Sequence, residues 1–258
     1  MILLMAGSSE AREVLDKLSE EAEKILVTTA TDYPYPINTE NVKAEIDVRK
    51  GRLNRESMVE LLRSERVKCM IDATHPFAVE ASVTAMEACR EANIPYVRFQ
   101  RKELALPTSP LIHREESMEE AARLSCDLGE TIFLTTGSKD LEIFSETARE
   151  NDRKLIVRVL PSIDSIGKCL EAGVEPDRII AMKGPFSARL NAAMWKELGV
   201  DTAVTKESGE EGGLREKVEA ALELGIHLVV VNRPILDYPC CFEDAESLYR
   251  CLKEEGII

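Results

Sequence analysis

The 258-residue sequence predicts an α/β fold: two tandem Rossmann-like parallel-sheet domains facing an interdomain cleft. Short apolar runs alternate with amphipathic stretches along the chain, the pattern of strand–helix–strand units. Strand-like phrases also recur in order at nearly constant offset. Ile2-Leu3-Leu4-Met5-Ala6-Gly7-Ser8 is matched by Ile132-Phe133-Leu134-Thr135-Thr136-Gly137-Ser138. Lys24-Ile25-Leu26-Val27 is matched by Lys154-Leu155-Ile156-Val157, and Ile94-Pro95-Tyr96-Val97-Arg98 by Ile226-His227-Leu228-Val229-Val230. His75-Pro76-Phe77-Ala78 and Gly184-Pro185-Phe186-Ser187 read as a further pair in equivalent places. The period is too long for a solenoid, so the halves are two domains.

In the first half the apolar runs predict strands at 2–5, 24–29, 44–48, 68–73 and 96–99, and helices at 9–20, 55–64 and 77–92. Ser8 or Ser9 suits an N-cap, and Glu10 suits the positive end of the helix that follows. Asn93 fits a helix stop ahead of Ile94-Pro95. Leu106-Pro107-Thr108-Ser109-Pro110 has the composition of a linker. The expected domains are therefore 1–110 and 111–258, with the boundary between 106 and 130. A helix at 116–128 fits either domain. The second series then predicts strands at 131–135, 154–160, 178–182, 202–205 and 227–232, with helices at 139–150, 163–172, 187–198, 214–224 and 243–255. Trp195 falls on one of these helices and reads as core.

The net charge of −14, from 33 basic and 47 acidic residues, disfavours binding to nucleic acid or an anionic membrane. A local basic pocket for a small anion stays compatible with it. Seven scattered cysteines without a C-x-x-C suit free thiols in a reducing, cytoplasmic setting, and no metal site is expected. No secretory signal is legible, and no apolar run approaches the ~20 residues of a membrane span. Nothing in the sequence specifies an oligomeric state.

Chemistry concentrates where strands end. Asp72-Ala73-Thr74-His75-Pro76-Phe77-Ala78 carries an acid, a hydroxyl and an imidazole from a buried strand to the proline of a helix start. Open α/β sheets bind ligands at that edge. His75 is one of three histidines and a candidate proton donor; the residues alone equally allow it a structural place, and Asp72 a turn-capping one. Gly7, Ser8 and Ser9, and likewise Gly137 and Ser138, form strand-to-helix turns whose N–H groups suit a phosphate. The full G-x-G-x-x-G fingerprint is absent, so each also reads as a plain turn. Lys206-Glu207-Ser208-Gly209-Glu210-Glu211-Gly212-Gly213 is a glycine-rich loop after a strand, suited to close backbone approach. Arg98, Arg158, Lys183 and Arg233 also lie near strand ends and would together suit a polycarboxylate.

These residues carry a resemblance. Gly7-Ser8-Ser9-Glu10-Ala11-Arg12, the D-A-T-H-P-F-A stretch, Ile94-Pro95-Tyr96-Val97-Arg98, Leu134-Thr135-Thr136-Gly137-Ser138, Lys183-Gly184-Pro185-Phe186-Ser187, Lys206-Glu207-Ser208-Gly209 and Arg233-Pro234 occur in order over nearly the whole chain. Together they resemble the precorrin-6A and cobalt-precorrin-6A reductases of corrin biosynthesis. D-A-T-H-P-F-A and the K-x-S-G loop are the specific parts. Ser8 stands where Thr is common and Glu207 where Asp is common. The resemblance implies a nicotinamide-dependent reduction, by NADPH or NADH, of a macrocycle double bond in a tetrapyrrole with many carboxylate arms. It implies His75, Asp72 and Thr74 at the catalytic turn, and Gly7, Ser8, Ser9, Gly137 and Ser138 toward the dinucleotide. Arg98, Lys183, Gly184, Lys206, Ser208, Gly209 and Arg233 would then face the substrate, and any cobalt would arrive with it. Another two-domain NAD(P)-dependent oxidoreductase, or a non-catalytic dinucleotide- or tetrapyrrole-binding protein, is the alternative.

Overall fold

The computed structural model describes residues 1–7, 10–29, 43–209 and 212–258. The chain forms two compact units, residues 1–102 with 234–258, and residues 103–233. The first unit runs β1 (Ile2–Ala6), α1 (Glu10–Leu18), β2 (Lys24–Thr29), β3 (Glu45–Lys50), α2 (Arg55–Ser64), β4 (Cys69–Ala73), α3 (Val79–Ala92) and β5 (Tyr96–Phe99). The second contains β6 (Ile112–Glu115), α4 (Met118–Leu128), β7 (Thr131–Leu134), α5 (Leu141–Glu150), β8 (Lys154–Val159), α6 (Ile163–Glu171), β9 (Ile179–Ala181), α7 (Ala188–Glu197), β10 (Thr202–Lys206), α8 (Leu214–Leu224) and β11 (His227–Val231). The chain then returns to the first unit with β12 (Cys241–Phe242) and α9 (Ala245–Glu254).

Among the described residues each unit has one six-stranded sheet, ordered β12-β5-β4-β1-β2-β3 and β6-β11-β10-β7-β8-β9. All the strand pairs are parallel. The first order is the doubly wound Rossmann arrangement, with the reversal between β1 and β4; the second follows it over β9-β8-β7-β10-β11, with the reversal between β7 and β10, and takes its sixth strand from β6, the first in the chain. Buried parallel strands have apolar residues on both faces. In β1, Ile2, Leu4 and Ala6 pack with α1 and α9, whereas Leu3 and Met5 pack with α2 and α3. In the second sheet Phe133, Ile156, Ala203 and Leu228 share a core with α7 and α8, and Trp195 lies there fully buried. Ser or Asn side chains cap α2, α4, α6 and α7, and Asp244 caps α9. Asn93 takes the left-handed conformation that ends α3. The expected cap at Ser8 or Ser9 lies outside the described residues.

Three expectations need correction. Residues 234–258 belong with the first unit, not with 111–258, because β12 pairs with β5 and α9 fills the core beside α1. The crossing falls at Lys102–Glu103, ahead of the 106–130 window, because Leu104 and Leu106 already pack on the second core. The pairing of His75-Pro76-Phe77-Ala78 with Gly184-Pro185-Phe186-Ser187 does not hold in the topology. The first follows β4 at the reversal point, whereas the second follows the edge strand β9. The counterpart of β4 is β10, so the D-A-T-H turn corresponds to the loop that begins at Lys206 and Glu207.

Candidate active site

Asp72 closes β4 with no exposed surface and accepts five hydrogen bonds. Its Oδ1 takes the Thr74 N–H at 2.9 Å, the Thr74 hydroxyl at 2.7 Å and Arg98 at 2.8 Å. Its Oδ2 takes the Ser82 hydroxyl at 2.6 Å and the Tyr96 phenol at 2.7 Å. Burial, then the Asp72 charge, pushes the Tyr96 phenol well above its ordinary pKa, which keeps it a donor. Arg98 is the register partner of Asp72 on β5 and is also wholly buried. Its second nitrogen donates to the Thr74 carbonyl at 2.9 Å and to Gln100 at 3.2 Å. Tyr238, from the returning segment, stacks on Tyr96 and lies 5.3 Å from the Arg98 guanidinium. The turn carrying Thr74 and His75 is therefore held on two sides by a buried polar network in which both Asp72 oxygens are satisfied.

His75 is half-buried, and its Nδ1 accepts the Phe77 N–H at 3.3 Å. In the neutral ring that leaves the proton on Nε2. Gly7, at the end of β1, runs beside this turn; a Cβ there would lie 3.4 Å from the Thr74 Cα. The reversal point of the first sheet thus brings Gly7, Asp72, Thr74, His75 and Arg98 together. Ser8 and Ser9 lie outside the described residues.

The second sheet repeats the scheme. Glu207 follows β10 with no exposed surface and forms an ion pair with Arg233, which follows β11. Its other oxygen accepts the N–H of Leu104 at 3.0 Å and of Gly209 at 3.2 Å. Both sheets therefore place a buried acid at the C-terminal end of the strand beyond the reversal, β4 or β10, and bind it to an arginine at the end of its neighbour, β5 or β11. Lys206 pairs with Asp140 at 2.9 Å, bridging β10 to the start of α5. Gly137 has φ +85°, and the hydroxyl of Thr136 beside it is buried with no hydrogen-bond partner among the described residues. Gly209, at φ +70°, lies under Arg233, and Gly212 packs so closely on the Ser208 side chain that no Cβ fits.

The family model of precorrin-6x reductase CbiJ/CobK matches residues 1–253. The chain belongs to this family. A relative from Priestia megaterium, cobalt-precorrin-6A reductase, is 38% identical, with 98% of each chain covered. Another of the same name, from Methanocaldococcus jannaschii, is 36% identical, with 96% of each covered. Among solved structures, CobK precorrin-6A reductase matches with a TM-score of 0.80 at 22% identity, over 99% of this chain and 96% of that one, which shows a shared fold.

In this member of the precorrin-6x reductase family, Lys206, Ser208, Gly209 and Arg233 meet at the end of β10, with Gly137 and Ser138 on the adjoining β7 turn. Lys183 and Gly184 follow β9, which the order β10-β7-β8-β9 sets three strands away. Sequence reading passed over Tyr96, Ser82 and Tyr238 as network partners, and gave Glu207 no role. It also missed Lys217, although that residue interrupts the apolar stripe Leu214, Val218 and Ala221 on α8. Among the described residues no group of three or more His, Cys, Asp or Glu could hold a metal ion, and no helix is long and apolar enough to cross a membrane.

Proposed function

We propose that this chain reduces a double bond of cobalt-precorrin-6A to give the 6B form, with a reduced nicotinamide dinucleotide as its redox partner. The observation that carries this reading is the family match over residues 1–253, joined to relatives named cobalt-precorrin-6A reductase that are matched over 98% and 96% of their length. The cobalt belongs to the substrate.

When bound, the nicotinamide supplies the hydride. The residues present fit such a group. Gly7 follows the first strand of a Rossmann sheet, the usual seat of dinucleotide phosphates, and Ser8 and Ser9 come next in sequence. The unpartnered Thr136 hydroxyl favours a second reading, with the phosphates at Gly137 and Ser138. His75, charged by proton uptake from water, delivers a proton from the Nε2 of its imidazolium to the carbon that does not receive hydride and is left as the neutral ring. Asp72 and Thr74 orient the turn that presents it, and Asp72 itself, saturated by five donors, moves no proton. Lys183 and Lys206 anchor carboxylate arms, and Gly184, Ser208 and Gly209 give the loops close approach. Arg98 and Arg233, committed to Asp72 and Glu207, hold the two turns rather than the substrate.

The test is titration of the purified chain with NADPH and NADH, followed by cobalt-precorrin-6A and metal-free precorrin-6A. Loss of reduced-nicotinamide absorbance with the cobalt substrate is expected. Binding of neither dinucleotide would sink the reading.

A further inference from the structure

Arg158 and Lys217 are two buried cations of the second unit, 6% and 8% exposed, and among the described residues no carboxylate is bonded to either. Arg158 lies one residue before the end of β8, on the face shared with Phe133. It donates to the amide oxygen of Asn191 on α7 at 2.8 Å. The half-buried Phe186 ring stacks on its guanidinium at 4.2 Å. Lys217, on α8, donates to the carbonyl of Gly212 at 2.9 Å. Neutral oxygens satisfy their hydrogen bonds but leave the charges unbalanced, which is costly in a buried site.

Three further facts bear on this place. Burial, then the charge of Arg158, lowers the Lys217 ammonium to about 8, against a smaller opposing pull from Glu216. Among the described residues Glu216 makes no ion pair with Lys217, and its Oε2 is buried without a hydrogen-bond partner. Helix α8 opens on Gly213, at φ +70°, with no side-chain cap on its first N–H groups. A Cβ on Gly213 would stand 3.6 Å from the Glu216 Oε2 and 3.7 Å from Pro185, which sets the start of α8 beside the turn that carries Phe186. Two cations, a helix start without a side-chain cap and an aromatic cover converge beside the single carboxylate of Glu216, which leaves one positive charge without its anion.

We propose that Arg158, Lys217 and the opening amides of α8 form a pocket for one oxyanion of a bound ligand, a carboxylate or a phosphate, reached when the Phe186 ring turns aside. The two sources of that oxyanion, a tetrapyrrole arm or a dinucleotide phosphate, rest on the reductase reading; the pocket does not.

Lys217→Gln removes the charge and keeps a donor for the Gly212 carbonyl. Arg158→Gln is made in parallel. Affinities for inorganic phosphate, NADPH and uroporphyrin, an octacarboxylate tetrapyrrole, are measured by calorimetry, and melting temperatures without ligand by circular dichroism. Both variants are expected to weaken the same probe about tenfold or more, the usual worth of a charge-assisted hydrogen bond. Loss confined to uroporphyrin assigns the pocket to a substrate arm, and loss confined to NADPH assigns it to a dinucleotide phosphate. Without ligand, Lys217→Gln should melt no lower than the wild-type chain, since a repulsion has been relieved. Unchanged affinity for every probe, with a lowered melting temperature, would show Lys217 to be a loop fastener and overturn the pocket. Wild-type binding of phosphate but of neither nicotinamide dinucleotide, with phosphate lost in both variants, would keep the pocket and remove the reductase reading.

Discussion

Asp72 and Arg98 face each other across β4 and β5 as an ion pair with no exposed surface on either side chain, 2.8 Å apart. Removing one partner strands the other charge in a dry site. Arg98→Leu is therefore expected to destabilise the first unit by about 3–5 kcal/mol. Asp72→Asn should cost a similar amount, and the double variant less than the two combined. Urea unfolding of the four chains measures the coupling; additive losses would show that the pair is not a unit.

His75→Ala is expected to lower turnover about 100-fold or more, the usual contribution of a general acid. Dinucleotide affinity should stay near the wild-type value, because the turn is held by Asp72 and Arg98 rather than by the imidazole. Near-normal turnover in a folded variant would make His75 structural, with the proton coming from water or from the macrocycle.

Gly7→Ala and Thr136→Val separate the two phosphate turns. A methyl at Gly7 meets only ordinary contacts with Thr74, and Thr136→Val removes a hydroxyl that has no protein partner. Both chains should fold. The one whose dinucleotide affinity drops identifies the turn in use, and the expected one is Gly7→Ala.

His113 and His227 join the edge strand β6 to β11 through a 3.0 Å contact between ring nitrogens. Burial, then the neighbouring His227, lowers the His113 pKa from its ordinary 6.5. The fold thus prefers the neutral ring. That part of the stability is complete above about pH 6.5 and is lost as pH falls through the lower folded value. Urea midpoints of the wild-type chain should decline between pH 7.5 and 5 more steeply than those of His113→Gln. Parallel declines would remove the pair from the pH response.

Most central elements were legible because buried parallel strands are apolar runs whose length and flanks separate them from helices, as at β1, β4 and β11. The edge strands β6 and β12 were not. Ile112-His113-Arg114-Glu115 has no apolar run, and Cys241-Phe242 is two residues long. Their pairing is decided by neighbours more than a hundred residues away in sequence. Missing β12 is what misassigned residues 234–258. The false match of His75-Pro76-Phe77-Ala78 to Gly184-Pro185-Phe186-Ser187 has a local cause: proline suits any strand-to-helix turn, so such phrases recur without topological equivalence. Asp72, Thr74 and His75 stood out at the site because polar residues ending a buried strand are unusual. The buried Glu207–Arg233 pair did not stand out, because an acid inside a loop of glycines and glutamates looks like solvated surface.

The return of residues 234–258 to the first sheet also sets an order of birth. On the ribosome the continuous segment 103–233 emerges with every strand of its own sheet and can condense at once. The amino-terminal 102 residues, though made earlier, must wait with the β5 edge unpaired until β12 and α9 arrive. Chains ending at Arg233 and tethered to the ribosome by a linker that clears the exit tunnel should therefore protect the later-made unit from protease while leaving the earlier-made one open, and an unpaired β5 is where such chains would self-associate.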